Sequence, residues 1–337
     1  MTAVPTPLEL HRFKDAATGL DAVVAIDDLT LGPAFGGCRF RPYPDGAAVE
    51  ADACRLAEGM TLKNALAGIP FGGGKAVLRR PPEAFDRSAL FAAFGRHVDT
   101  LGGRYVTAMD AGTQTEDMDA IATGTRFVSG CSGQEGDPSP HTARGMAHGI
   151  RAAVHAELAR GLDGVRIAIQ GVGHVGAALA ELLAADGAEL LVADVDARQA
   201  QAVAAATGAR AIHPGEILAT PCDVLAPCAF GGVLDDAILP SLQCRIIAGA
   251  ANNQLAHPGM ATALAARGIL YVPDFVINSG GVIHAALAWK GLDAASIASR
   301  VDRIGDTVAE ILHRAKATNA LAEDTAVALA RSRLAAA

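Results

Sequence analysis

Apolar and polar positions along this chain recur in a strand–helix rhythm. Residues 22–26 (AVVAI) form a short continuous apolar run and predict a strand. From 47 to 67 the apolar residues Ala51, Ala53, Leu56, Ala57 and Met60 recur at helical spacing, and Gly68-Ile69-Pro70 closes that helix. Residues 75–78 read as a short buried strand. Residues 88–101 place Phe91, Phe94 and Val98 on one side of a second helix, and 104–108 form a strand running directly into Met109-Asp110-Ala111-Gly112. The Gly/Ser/Pro-rich segment 129–140 (SGCSGQEGDPSP) is the expected hinge. Beyond it the pattern predicts a long helix over 140–160, a strand at 165–170, a helix over 172–186 and a strand at 189–195. Further strands are expected at 222–226, 244–250 and 268–273, and two helices over 294–334. The alternation predicts an α/β protein.

Composition narrows the class. The 337 residues are 51% hydrophobic and 19% charged, enough apolar material for sizeable cores and too much for global disorder. The formal charge of −8 comes without a basic patch or tail, so nucleic acid is not an expected partner. No stretch is long and apolar enough to span a bilayer, and the N-terminus does not resemble a signal peptide, so no membrane association and a cytoplasmic location are expected. The six cysteines are scattered, with neither a CxxC pair nor histidines at ligand spacing. Reduced structural thiols and no metal site follow.

Of the 28 basic residues only five are lysines: Lys14, Lys63, Lys75, Lys290 and Lys316. An ammonium can lose its proton when desolvated, whereas a guanidinium stays charged, so lysines kept in an arginine-rich chain are candidates for chemistry. Lys63 and Lys75 flank a glycine cluster.

Gly171-Val172-Gly173-His174-Val175-Gly176 follows the apolar strand VRIAIQ and opens a helix. In such a loop the first glycine permits the turn and the second lets backbone approach a pyrophosphate. The third allows close helix–strand packing, and the helix N-terminus offers free N–H groups. Asp194 ends the next strand, placed to accept hydrogen bonds from both hydroxyls of an adenosine ribose and to repel a 2′-phosphate. NAD is therefore expected over NADP. A fingerprint starting at 171 makes residues 130–320 a Rossmann dinucleotide-binding domain. Residues 1–129 are left as a separate domain for substrate and chemistry, with a cleft between the two.

In that first domain Gly36-Gly37-Cys38-Arg39, Thr61-Leu62-Lys63-Asn64, Phe71-Gly72-Gly73-Gly74-Lys75 and Met109-Asp110 can make a compact anion site. Glycines admit backbone closely, one lysine fixes a carboxylate, and a second nearby has its pKa pushed down. Asp110, at the C-terminal end of a strand, sits where proton transfer is commonly placed.

These segments resemble the glutamate/leucine/phenylalanine/valine dehydrogenase family, on its leucine/valine/phenylalanine side. The resemblance is carried in order by GPAFGGCRF (32–40), RLAEGMTLKNALAG (55–68), FGGGKAV (71–77), GRYVTAMDAGT (103–113) and DPSPHTARG (137–145). It continues in IQGVGHVG (169–176), LAPCAFG (225–231), AGAANNQLA (248–256) and YVPDFVINSGGVIH (271–284). It implies reversible NAD-dependent oxidative deamination of an L-amino acid to a 2-oxo acid and ammonium. Lys63, helped by backbone at Gly36 and Gly37, would hold the substrate α-carboxylate. Lys75 would be the lysine of depressed pKa that activates water, and Asp110 would shuttle protons to and from the amine. Asn252 would close on substrate and nicotinamide, with Thr142 near the carboxamide. The C-terminal helix 321–337 would complete the first domain, and a homo-oligomer, dimer or octamer, is implied.

His174 stands where Asn is common in the family, and Ala111 where Val is usual. The hinge around 131–136 is a few residues short. The family's side-chain pocket maps to Phe35, Ala108, Val282 and Ala285. No lysine or serine there pairs a γ-carboxylate, which disfavours glutamate. Phe35 shortens the pocket, favouring valine, leucine or isoleucine; small Ala285 widens it, favouring phenylalanine or an indole. Each effect is worth about 1–3 kcal/mol, so the two stay open against each other. Other readings are a relative processing tryptophan or 2-oxo acids in a secondary pathway, and a non-catalytic NAD-binding regulator.

Overall fold

The computed structural model describes residues 8–133 and 136–337. Part of the expected short hinge, at 134–135, therefore lies outside the described residues. The chain divides into two compact units. One comprises Met1–Asp137 with Val282–Ile297 and Ala330–Ala337; the other comprises Pro138–Gly281 with Ala298–Leu329.

The first unit is built on strands β1 (Glu9–Asp15), β2 (Leu20–Asp28), β3 (Ala34–Arg41), β4 (Gly72–Arg79) and β5 (Tyr105–Met109), in the order β1-β2-β4-β3-β5. Helix α1 (Gly46–Ala67) starts at Asp45, whose side chain accepts from the Ala48 N–H, and stops at Gly68 with φ 62°. It covers one face of the sheet, burying Val49, Ala53 and Ala57 against Val23, Ala25 and Val77. The alternate residues Val24, Ile26, Ala76 and Leu78 point to the other face. There Phe91 and Phe94 of α2 (Arg87–Asp99) and Met118 and Ile121 of α3 (Thr115–Ala122) complete a second core.

Strands β1 and β3 are absent from the sequence pattern. The glycine pair that masks β3 has a packing cause: a Cβ at Gly36 would lie 1.9 Å from the Gly74 carbonyl oxygen of neighbouring β4. The sequence division gave 282–320 to the dinucleotide unit and all of 321–337 to the first. In the structure Val282–Ile297 and only Ala330–Ala337 pack with the first unit. Ring contact between Trp289 and Phe71 (6.0 Å between centroids) and the Arg333 guanidinium donating to the Leu66 carbonyl at 2.8 Å hold those segments there. Neither contact leaves a trace in local periodicity.

The second unit runs α4 (Ser139–Leu158), β6 (Arg166–Gln170), α5 (His174–Ala185), β7 (Glu189–Ala193), α6 (Ala197–Thr207), β8 (Arg210–Ala211), β9 (Val224–Pro227) and β10 (Ile246–Ile247). Next come α7 (Met260–Ala266), β11 (Leu270–Tyr271) and α8 (Asp274–Ile277). Its sheet is parallel in the order β11-β10-β9-β6-β7-β8, so the direction of winding reverses between β6 and β9. Ligands of doubly wound sheets bind at the carboxyl ends of strands at such a point. After α8 follow α9 (Gly280–Trp289), α10 (Ala294–Asp302), α11 (Ile304–Thr318) and α12 (Ala322–Ala335). The tail therefore holds three helices rather than two, with Asn319 (φ 52°) ending α11. Among the described residues no helix is long and apolar enough to cross a membrane.

Candidate active site

In the first unit, parallel pairing of β3 with both β4 and β5 sets Cys38 opposite Ala76 on one side and Met109 on the other. Lys75 therefore comes beside Asp110, which follows the last residue of β5. The ammonium of Lys75, whose side chain is 6% exposed, donates to Asp110 Oδ2. Arg39 Nε donates to Oδ1 at 3.4 Å, and the Ala111 N–H donates to the same oxygen at 2.5 Å. Burial alone would push the Asp110 carboxyl up; Lys75 and Arg39 overcome it and hold the group at about 2.

Lys63 lies half-buried on the turn of α1 that seats against the triple glycine. Asn64 fixes that turn, its amide donating to the carbonyls of Gly72 (2.7 Å) and Phe35 (3.1 Å). The Tyr105 hydroxyl donates to the Gly36 carbonyl at 2.6 Å and so sets the peptide between Gly36 and Gly37. Phe35 is buried edge-on against Phe71, 5.2 Å between centroids, and Ala108 is buried on β5. Val282 and Ala285, half-buried on α9, belong to this same unit, and the Ser129 hydroxyl donates to the Ala285 carbonyl at 3.3 Å. Lys63, Lys75, Asp110, Gly36, Gly37 and all four expected pocket positions thus fall in one unit.

Arg39 was named within the anion-site segments without a role of its own, and Asp52, Tyr43 and Tyr105 are site residues that the sequence reading does not name. Arg39 was legible only as the residue after Gly36-Gly37-Cys38, and Asp52 only as an acid three residues before Arg55 on a helix. Their meeting depends on β3 lying beside the start of α1.

The second unit carries the glycine loop. Gly171 takes φ 87°, and a Cβ there would crowd the Ala229 backbone at 2.9 Å; one at Gly176 would lie 2.0 Å from the Gly171 carbonyl oxygen. Gly173 differs. Its φ is −66°, and a Cβ would meet nothing within 4 Å. The chain's own packing does not require glycine there, but a phosphate seated on the α5 N-terminus would. His174 and Val175 open α5 beside it. Asp194 accepts from the Val172 N–H (2.8 Å, Oδ2) and the Asp196 N–H (3.0 Å, Oδ1), tying the glycine loop to the end of β7. These groups fit a dinucleotide.

Thr142, near the start of α4, donates to the Pro138 carbonyl at 3.2 Å and leaves Gly281 no room for a Cβ, which would lie 2.9 Å from its hydroxyl. Asn252 is exposed, its side-chain oxygen accepting from Asn278 at 2.8 Å; Asn278 also donates to the Ala250 carbonyl at 3.0 Å. Asn278 was not expected from the sequence.

A dinucleotide-type sheet joined to a unit with a buried lysine–aspartate pair defines a two-unit α/β dehydrogenase. Residues 7–127 match the Glu/Leu/Phe/Val dehydrogenase dimerisation domain, and residues 188–337 match the Glutamate/Leucine/Phenylalanine/Valine dehydrogenase domain. The leucine dehydrogenase of Bacillus cereus is 42% identical over 332 residues, 95% of this chain and 91% of that protein. The valine dehydrogenase of Streptomyces virginiae is 44% identical over 314 residues, 90% of this chain and 87% of that one. The crystal structure of L-tryptophan dehydrogenase from Nostoc punctiforme superposes with a TM-score of 0.88 at 39% identity, covering 97% of this chain and 95% of that one. The chain belongs to the glutamate/leucine/phenylalanine/valine dehydrogenase family, a family of NAD(P)-dependent amino acid dehydrogenases.

Proposed function

We propose that the protein catalyses the reversible NAD-dependent oxidative deamination of an apolar L-amino acid to its 2-oxo acid and ammonium. The observation that carries this reading is the buried Lys75–Asp110 pair, with Lys63 on the adjoining helix of the same unit. Bound dinucleotide supplies the acceptor for the hydride leaving the substrate Cα. Lys63 holds the α-carboxylate by charge, beside the backbone of Gly36 and Gly37. Asp110 takes a proton from the substrate amine, hydride loss from Cα leaves the imine, and water attacks it as Lys75, acting at that step as the free amine, takes the proton the water gives up. Collapse of the carbinolamine returns a proton through Asp110 to the departing ammonia. Asn252, oriented by Asn278, and Thr142 serve the nicotinamide in the second unit.

Phe35, Ala108, Val282 and Ala285 offer the side chain no charge, which favours leucine, valine, isoleucine or phenylalanine. The likeness to the tryptophan dehydrogenase, together with small Ala285, supports tryptophan as the second reading. Incubating the protein with NAD and L-leucine, L-phenylalanine or L-tryptophan in turn, and following NADH absorbance, decides among them. No NADH with any apolar amino acid would overturn the proposal. A homo-oligomer, dimer or octamer, is proposed on the match of residues 7–127 to a dimerisation domain. A cytoplasmic location is in keeping with its six cysteines, all of them thiols.

Two expected results bear on the cofactor. Asp194→Ala should weaken NAD more than NADP, narrowing the ratio of kcat/KM by about tenfold or more, because a charged acceptor for the ribose hydroxyls is lost. Some loss with both dinucleotides should accompany it, since Asp194 also anchors the Val172 N–H. Comparable kcat/KM for NAD and NADP in the unmodified protein would defeat the preference. Gly173→Ala should leave the thermal unfolding midpoint in place, as nothing lies within 4 Å of the new methyl. It should still raise the NAD dissociation constant by about tenfold or more, read by calorimetry, through overlap with the pyrophosphate.

A further inference from the structure

Asp110 faces two cations of different chemistry, and one of them is clamped. Arg39 Nη1 donates to Asp52 Oδ2 at 3.0 Å; the Tyr43 hydroxyl donates to that same oxygen at 2.6 Å, and Arg55 donates to Oδ1 at 2.6 Å. Charge alternates along the series Lys75, Asp110, Arg39, Asp52, Arg55. The side chains of Arg39, Asp52 and Asp110 are 13%, 14% and 16% exposed. Against the cost of its own burial, Arg39 is held protonated by Asp110 and Asp52. A buried chain of ion pairs is weak evidence for stability, because desolvation offsets much of the attraction. Its placement on Asp110 therefore calls for another reason.

We infer that Arg39 is a positioning residue for the proton chemistry: held by Asp52 and Tyr43, its guanidinium orients the Asp110 carboxylate and keeps it ionised when Lys75 gives up its proton. This rests on the reading of Lys75 and Asp110 as the proton-handling pair. A lysine must shed its proton, and with it its charge, before its amine can act as a base, whereas a guanidinium stays charged throughout. Without Arg39 a neutral Lys75 would leave Asp110 with no opposing charge, and the carboxylate would take up the proton meant for substrate or water. Uncharged titratable groups also surround the pair: burial pushes the Tyr105 hydroxyl, on β5 and facing Asp110, well up. Burial pushes the Cys38 thiol, on β3, up to about 12, and burial with Asp52 raises the Tyr43 hydroxyl. Beyond β5 the Thr113 hydroxyl accepts from the Asp110 N–H at 2.9 Å.

The pH dependence of kcat separates this role from a structural one. Removing a positive charge raises the pKa of every group it faced, so Arg39→Gln should move the whole profile alkaline by about one unit and lower kcat at neutral pH about tenfold. KM for the amino acid should change far less. Arg39→Lys should return the profile to its wild-type position while kcat stays reduced, because one ammonium cannot bridge both carboxylates. Asp52→Asn removes a negative charge and should shift the profile the opposite way, by a smaller amount; it keeps the test open if Arg39→Gln does not fold. Superimposable profiles, with only the unfolding midpoint altered, would overturn the inference. If the wild-type protein formed no NADH from any amino acid, the proposed function would fail separately. Arg39 would then be judged by carbon NMR of the Asp110 carboxyl, whose midpoint in Arg39→Gln should stand about one unit above that in Arg39→Lys. Equal midpoints would end it.

Discussion

Replacing Lys75 by arginine is expected to cut amino-acid-dependent NADH formation by about a thousandfold, within the range that loss of a positioned acid–base group removes. Arginine keeps the positive charge beside Asp110 but cannot release a proton to serve as a base. Its longer planar head must also fit a site where the native side chain is 6% exposed, so Asp110 would be displaced as well. The glycine loop and Asp194 lie in the other unit, and NAD affinity should be unchanged by calorimetry. Lys63→Arg should instead mainly raise the apparent Michaelis constant for the amino acid, since charge rather than proton loss matters at a carboxylate contact. Turnover retained in Lys75→Arg would reduce that lysine to a structural partner of Asp110.

Gly36→Ala should have the largest effect on stability. The new Cβ would stand 1.9 Å from the Gly74 carbonyl oxygen and 3.4 Å from Met60 Cγ. The nearer atom is backbone in the middle of a five-stranded sheet, so it cannot swing aside as a side chain would. A loss above about 4 kcal/mol, or failure to fold, is expected in guanidinium titrations. Gly59→Ala on the exposed side of α1 is the matching control. Its methyl meets nothing within 4 Å, and the helix should gain about 0.5–1 kcal/mol. A Gly36→Ala protein as stable as the parent would show that β3 and β4 are not packed as described.

Local pattern was enough for the dinucleotide unit because its signal is local. An apolar strand, a glycine loop, a helix and an acid closing the next strand follow one another between Arg166 and Asp194. Each residue's task there is set by near neighbours: Gly176 packs on Gly171, and Asp194 bonds Val172. The same holds for α1, whose cap, apolar spacing and terminal glycine lie within its own span. Scarcity of lysine singled out Lys63 and Lys75, and the strand ending at Met109 singled out Asp110. The family resemblance ran over nearly the whole chain, and the family models match residues 7–127 and 188–337.

What the sequence left unread is what long-range packing decides. Lys75 and Asp110 are 35 residues apart, and Arg39 and Asp110 are 71 apart; they meet because β3 pairs in parallel with β4 and β5. A glycine pair suggests a loop until a neighbouring carbonyl is seen where a Cβ would stand. The assignment of Val282–Ile297 to the first unit likewise rests on Trp289 meeting Phe71, a contact between distant stretches of chain. Residue types, and the turns and helices closed by near neighbours, were determined by the sequence itself. Which charge faces which across the sheet was decided by tertiary structure alone, because register and strand order are set by the burial of whole faces and not by any short segment.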